Sequence, residues 1–209
     1  VIHYVPVGVV AAVGAYNNPL LYLASKAVTA MAAGCTAIFI PSSLTPLTAL
    51  LFGEIAREAG VPEGVLNIVA GGGEVARFLS LHPQVNKISM TGSVEVGRQV
   101  MRQAAEGVKG VVLELGGKSA GIVLPGADLA QLSLPLNGRY LRNAGQGCQS
   151  PTRLLVPQAL YDDFVDISRE TFKQIQVGNP WNPNTQIGPL ISAAHRNRVE
   201  GFVGRALAG

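Results

Sequence analysis

The sequence predicts an α/β fold built around a parallel sheet, and three observations carry that reading. Short β-branched runs alternate with longer amphipathic ones along the 209 residues. Gly, Pro or a capping residue marks each switch between them. The run CTAIFI, Cys35 to Ile40, has almost no polar face, as a strand covered by helices on both sides requires. Hydrophobic residues make up 48% of the chain against 14% charged, so a large core can be buried and the composition is not that of a disordered chain.

Taken in order, VVAAV near Val9 reads as a strand, and Tyr16, Asn17, Asn18 and Pro19 form the turn out of it. An apolar helix then starts near Leu20 and stops at Gly34, a residue suited to a left-handed C-cap. After the CTAIFI strand, Pro46 suits the first turn of a helix closing at Gly60. VLNIV is a third strand, a short helix runs from about Glu74 to His82 and Pro83, and VNKISM is a fourth strand. Thr91 or Ser93 caps a helix beginning near Val94. Thr91, Gly92 and Ser93 therefore lie at a strand-to-helix turn, where unpaired N–H groups and the helix dipole favour an anion such as a dinucleotide phosphate. From Val111 the pattern restarts with VVLELGGKSAGIVL, which places a domain boundary near Gly110: residues 1–110 form a first domain and 111–209 a second. Beyond the loop around Cys148 come a strand, RLLV, a helix from about Leu160 to Ile175, a turn-rich stretch, and a last helix still running near Gly209.

Charge excludes several function classes. The net charge of +3 is small and Lys and Arg are scattered, so neither nucleic acid nor a membrane surface is an expected partner. The most apolar stretch, Leu20 to Ile40, is interrupted by Ser25, Lys26, Gly34 and Thr36, so no membrane span is expected. Val1 opens directly on a strand-like run, which suggests an upstream segment removed or unrecorded. Cys35 and Cys148 lie far apart in unlike surroundings, so a reducing cytoplasm is expected rather than a disulfide framework.

Three residues could carry chemistry. Cys148 lies in the polar, glycine-rich RNAGQGCQSPTR, whereas Cys35 sits in an apolar run as a core cysteine does; Cys148 is either a reactive thiol or an ordinary loop cysteine. Glu114, in the apolar VVLELGG, is a carboxylate that is costly unless paired or at the strand's exposed end, and reads as a general base or as a satisfied structural Glu. Asn17 is a turn residue or a donor to an oxyanion. Gly71, Gly73 and Ala76 follow VLNIV in a G-x-G-x-x-A pattern, but no acidic residue ends a following strand at the distance a dinucleotide fingerprint needs. His3, His82 and His195 have no partner in view, and no spacing suggests a metal site.

Together these segments resemble the aldehyde dehydrogenase superfamily. PVGVVAAVGAYNNPL is similar to its strand and catalytic-asparagine turn, MTGSVEVG to its cofactor segment, LELGGKS to its general-base motif, AGQGCQSPTR to its nucleophile loop and VGNPWNPNTQIGPLIS to its G-P-L segment. The resemblance implies a Rossmann-like parallel sheet, most of a cofactor-binding domain, followed by part of a second α/β catalytic domain. It makes Cys148 the nucleophile, Glu114 the base for deacylating water and Asn17 an oxyanion donor, and it sets Gly92, Ser93, Ser43 and Tyr16 at the cofactor. The implied reaction is oxidation of a small-molecule aldehyde to a carboxylic acid through a cysteine thiohemiacetal and thioester, with NAD or NADP as cofactor and homo-oligomer formation left open.

The chain departs from the family pattern at the ribose contacts. Ile40, Pro41, Ser42 and Ser43 stand where the family has Lys-Pro-Ser-Glu. Loss of the acid at Ser43 removes repulsion against a 2′-phosphate, while Ile40 removes a cation that would hold one, so NAD and NADP both stay open. The same departures support an alternative, a catalytically silent remnant of the fold acting as a binding or scaffold module. Acyl transfer to coenzyme A is a third reading, which Glu114 disfavours because water activation is then unnecessary.

Overall fold

Consecutive side chains of a strand face opposite ways, and in Val9–Val13 (β1) both directions are buried. Ala12 packs with Leu23, Ala27, Ala37 and Phe39, while its neighbour Ala11 packs with Val85, Ile88, Met90, Val100 and Ala104. A sheet with a core on each face is what the unbroken apolar runs of the sequence demand. The computed structural model describes the backbone of residues 1–209 and the side chains of all but 133–137 and 140. It divides into two compact units, Val1–Gly116 and Gly117–Gly209.

In the first unit, β1 is the middle strand of five. Thr36–Ile40 (β2), Leu66–Ile68 (β3), Lys87–Gly92 (β4) and Gly110–Leu115 (β5) complete a parallel sheet of order β3-β2-β1-β4-β5. The chain builds outward from β1 in one direction and then resumes on its other side at β4. The carboxyl ends of β1 and β4 thus flank a topological switch point, where open α/β sheets form a crevice.

Pro19–Leu23 (α1) and Thr29–Ala32 (α2) are separated by a π-helical turn, Ala24–Val28. The sequence reads as one helix here. The wider turn brings both Lys26 and Ala27 into the interior. Leu47–Glu58 (α3), Gly72–Leu81 (α4) and Val94–Glu106 (α5) follow. Fully burying Leu23, Phe39 or Ile88 contributes about 1.5–3 kcal/mol each. Gly34 closes α2 at φ 78°, as its C-cap reading expects. Gly14 admits no side chain, since a Cβ there would lie 2.7 Å from Phe39 Cζ.

β5 corrects the expected break near Gly110. Its residues pair with β4 from Lys87↔Gly110 to Gly92↔Leu115, so the run that restarts the β pattern is the edge strand of the first sheet. The first unit therefore ends at Gly116, inside the double-glycine turn.

The second unit pairs Ala120–Ile122 (β6) with Arg153–Leu155 (β7) in parallel and adds helices Leu129–Leu141 (α6), Tyr161–Lys173 (α7) and Ala193–Leu207 (α8). Val123, Leu129 and Phe164 form its core. Helix α6 has no counterpart in the sequence reading, and Pro135 and Gly138 lie within its bounds. Its start is nonetheless marked: the Asp128 side chain accepts from the N–H groups of Ala130 and Gln131. Among the described residues no helix is long and apolar enough to cross a membrane.

Candidate active site

Most residues singled out by sequence lie at or just beyond the carboxyl ends of the first sheet. Tyr16 and Asn17 follow β1, Ser43 follows β2, Gly92 ends β4, Ser93 caps α5 and Glu114 is near the end of β5. Cys148 belongs to the second unit.

Asn17 has an oriented amide. The Tyr22 hydroxyl, from the first turn of α1, donates to Asn17 Oδ1 at 3.0 Å. With its oxygen engaged as acceptor, the amide presents its NH2 in the other direction, as an oxyanion donor must. Tyr22 is buried among alanines and leucines of the first core cluster.

Lys26 lies on the π-helical turn, 8% exposed, and its Nζ donates to Ser89 Oγ of β4 at 3.2 Å. Burial pushes its pKa below the ordinary lysine value, and the Glu114 carboxylate opposes part of that shift. A buried cation is thus within electrostatic reach of the residue expected to act as base. Glu114 itself is exposed within the first unit, on the alternating face of an edge strand and opposite Thr91 in the ladder. The exposed-end reading of this carboxylate is the one observed, and the Thr91 hydroxyl across the ladder is buried.

Next to these residues lies a groove of about 540 Å³, lined by Pro41, Ser42 and Ser43 after β2, by Gly72, Gly73, Glu74, Ala76 and Arg77 of α4, and by Val96 and Gln99 of α5. Its size falls in the range of cofactor sites. Two features fit the adenosine half of a dinucleotide: an apolar wall from Val13, Ile40 and Pro41, and glycines at 72 and 73 that leave the α4 backbone bare. Of the Gly-rich pattern that lacks a distant acidic partner in sequence, Gly73 and Ala76 line the groove. Ser93 caps α5 by accepting from the Val96 N–H. Of the four expected cofactor residues, Ser43 is in the groove wall; Gly92, Ser93 and Tyr16 are at the adjoining strand ends.

In the second unit, the loop before Cys148 carries three successive left-handed residues: Asn143 and Ala144, both at φ 54°, and Gly145 at φ 76°. For a residue with a Cβ this conformation costs about 1–2 kcal/mol, least for Asn. Gln146 joins the turn to another element. Its Nε2 donates to the Asn143 carbonyl at 2.9 Å, and its Oε1 accepts from the Ile191 N–H at 3.0 Å. The Cys148 thiol donates to Gln149 Oε1 at 3.2 Å and is partly exposed. Cys35 is buried in the first unit, as its apolar run implies. Among the described residues no group of three or more His, Cys, Asp or Glu side chains could hold a metal ion.

Comparison with known proteins identifies the family. The aldehyde dehydrogenase family model matches residues 1–209. The chain belongs to the aldehyde dehydrogenase family. Betaine aldehyde dehydrogenase 2 of Rhizobium meliloti is 44% identical over 202 residues, which are 96% of this chain and 42% of that protein. Aldehyde dehydrogenase C of Pseudomonas syringae, solved as a mutant with NAD+ and octanal, superposes with a TM-score of 0.95 at 39% identity, covering 98% of this chain and 42% of that one. An NADP-dependent enzyme of E. coli superposes with a TM-score of 0.94 at 40% identity, covering 98% and 43%. The chain thus spans less than half the length of these relatives.

Within an aldehyde dehydrogenase frame, the residues that sequence reading overlooks are those defined by contact. Lys26 shows in the sequence only as a charge interrupting an apolar run. Tyr22, five positions from Asn17, and Gln146, 45 from Ile191, give no local sign of their partners.

Proposed function

We propose that this protein oxidises an aldehyde to a carboxylic acid with NAD or NADP, using Cys148 as nucleophile. The Cys148 thiolate attacks the aldehyde carbon; a C–S bond forms and the carbonyl electron pair moves onto oxygen. The resulting thiohemiacetal oxyanion accepts hydrogen bonds from the Asn17 amide and the Cys148 backbone N–H. A bound nicotinamide dinucleotide would supply the oxidant for the hydride lost from that carbon, and Cys148 then carries a thioester. Glu114 then takes a proton from a water whose oxygen attacks the thioester carbon. The C–S bond breaks, the acid departs and the thiolate is restored.

The groove residues would hold the adenosine half of the cofactor, and the strand-end turn at Gly92 and Ser93 its phosphates. Both cofactors fit the side chains present. Ser43 brings no carboxylate against a 2′-phosphate, Arg77 offers it a cation, and Glu74 in the same wall opposes it.

The observation that carries the proposal is the pinned Asn17, whose donor edge is set by Tyr22 in a chain of aldehyde dehydrogenase family membership. The test is Glu114→Gln. Acylation should continue and deacylation slow, so reduced cofactor appears in a burst and a covalent acyl adduct accumulates on Cys148. Absence of both burst and adduct would remove Glu114 from the water-activating role.

A second reading, a silent module that keeps the fold, rests on Ile40 and Ser43 at the ribose contacts. Calorimetric titration with NAD and NADP separates the two readings, since the silent module gives no saturable heat.

A further inference from the structure

We propose that Gln146 is a positioning residue that holds the Cys148 loop in its attacking geometry; this rests on the reading of Cys148 as nucleophile. The chain reaches Cys148 through a left-handed turn in which Ala144, a residue with a Cβ and no side chain able to bond locally, sits at φ 54°. Such a turn persists only where its surroundings over-determine it. Gln146 provides two fixings at once. One end of its amide closes the turn on itself, with Nε2 on the Asn143 carbonyl, which the Gln146 backbone N–H also meets at 3.1 Å. The other end ties the turn to a distant segment, with Oε1 on the Ile191 N–H.

Ile191 is an anchored point. The next residue, Ser192, caps the 15-residue helix α8 by accepting from the His195 N–H at 3.1 Å. The amide therefore connects the strained turn to the start of a regular helix. The short path from Gln146 to Cys148 runs through Gly147, where a Cβ would lie 2.8 Å from the hydroxyl of buried Ser150. The Gly147 carbonyl accepts from the Ser150 N–H at 3.3 Å, so the one-residue link is itself held and the orientation of the turn is passed on to the sulfur.

The two ends of the amide can be tested separately. Gln146→Ala removes both bonds. In the intact protein it should lower kcat/KM for aldehyde by about two- to tenfold, the factor that loss of one ordinary hydrogen bond carries, with cofactor affinity unchanged. Amide exchange at Ile191 should accelerate. Gln146→Glu keeps an acceptor for the Ile191 N–H but faces the Asn143 carbonyl without a donor. It should preserve Ile191 protection and still show the acylation defect. Ala144→Gly allows the turn without strain. Combined with Gln146→Ala it should recover much of the lost kcat/KM, a rescue that a packing role for Gln146 does not predict. Full turnover by Gln146→Ala, or no rescue by Ala144→Gly, overturns the proposal. Cys148→Ala is run alongside: activity surviving in that variant refutes the nucleophile reading itself, whereas an inactive Cys148→Ala beside a fully active Gln146→Ala refutes only the positioning role.

Discussion

Tyr22→Phe removes one oxygen from a buried ring and tests whether the amide of Asn17 works because it is held. The hydroxyl donates to Asn17 Oδ1 at 3.0 Å, and Phe fills the same space, so the packing of the first core cluster stays intact. Loss of one neutral hydrogen bond costs about 1 kcal/mol of stability. The effect on rate should be of similar size or larger. Removing an oxyanion donor outright lowers kcat by about 10²–10³. Letting the amide reorient without deleting it costs only a part of that. The expectation is a fall of roughly tenfold in kcat/KM for aldehyde, intermediate between wild type and Asn17→Ala, with no change in cofactor affinity, because Tyr22 is outside the groove wall. Steady-state kinetics, cofactor titration and urea unfolding of the same preparations supply the three quantities. A variant that loses the expected stability while turning over at the wild-type rate would show that Tyr22 serves packing alone, and the argument that it aims the oxyanion donor would fail.

Three further outcomes follow from single residues. Val108 is 93% exposed at φ 50°, a conformation that costs a β-branched residue about 1–2 kcal/mol; after the entropy that glycine adds to the unfolded chain, Val108→Gly should stabilise by roughly 1 kcal/mol, read as a higher urea midpoint at unchanged slope. Arg77→Ala should weaken NADP by roughly tenfold and NAD little, since Arg77 is the cation in a groove wall where Ser43 brings no acid; equal losses for both cofactors would count against a 2′-phosphate contact. Lys26 has a folded-state pKa below its unfolded value, so between the two the unfolded chain holds a proton the native chain lacks, and stability rises with pH across that alkaline window. Lys26→Met should abolish that rise, measured as the difference in unfolding free energy between the two proteins from neutral pH to about pH 10.

The sheet was legible in the sequence because burial on two faces writes itself into every residue of a strand. VVAAV, CTAIFI and VNKISM each became a parallel strand at the expected place, and Ser93 became the cap of the helix at Val94. An edge strand and the first strand of a new domain have the same local pattern, so the sequence sets the break near Gly110 and only the ladder to β4 carries the first unit on to Gly116. Helix α6 is hidden in the sequence for a different reason. Its interior contains a proline and a glycine, and propensity at single positions outweighs a cap that depends on one aspartate.

The site was legible to a different depth. Sequence singles out Cys148 and Glu114 because their chemistry is unusual for their surroundings, and the family motifs add Asn17; their roles remain proposals. It does not identify residues whose chemistry is ordinary but whose partner is remote. A tyrosine in a helix, a lysine in an apolar run and a glutamine in a loop are each common. Tyr22 matters through Asn17, Lys26 through Ser89, 63 positions away, and Gln146 through Ile191. Tyr22 bears directly on the Asn17 amide, Lys26 acts on Glu114 only through its charge, and Gln146 acts on Cys148 only through the turn that leads to it. Orientation of this kind costs conformational entropy when the protein folds, not when the substrate arrives. Tyr22 and Gln146 should therefore affect turnover more than cofactor binding, and Tyr22→Phe and Gln146→Ala should lower kcat/KM for aldehyde at unchanged cofactor affinity.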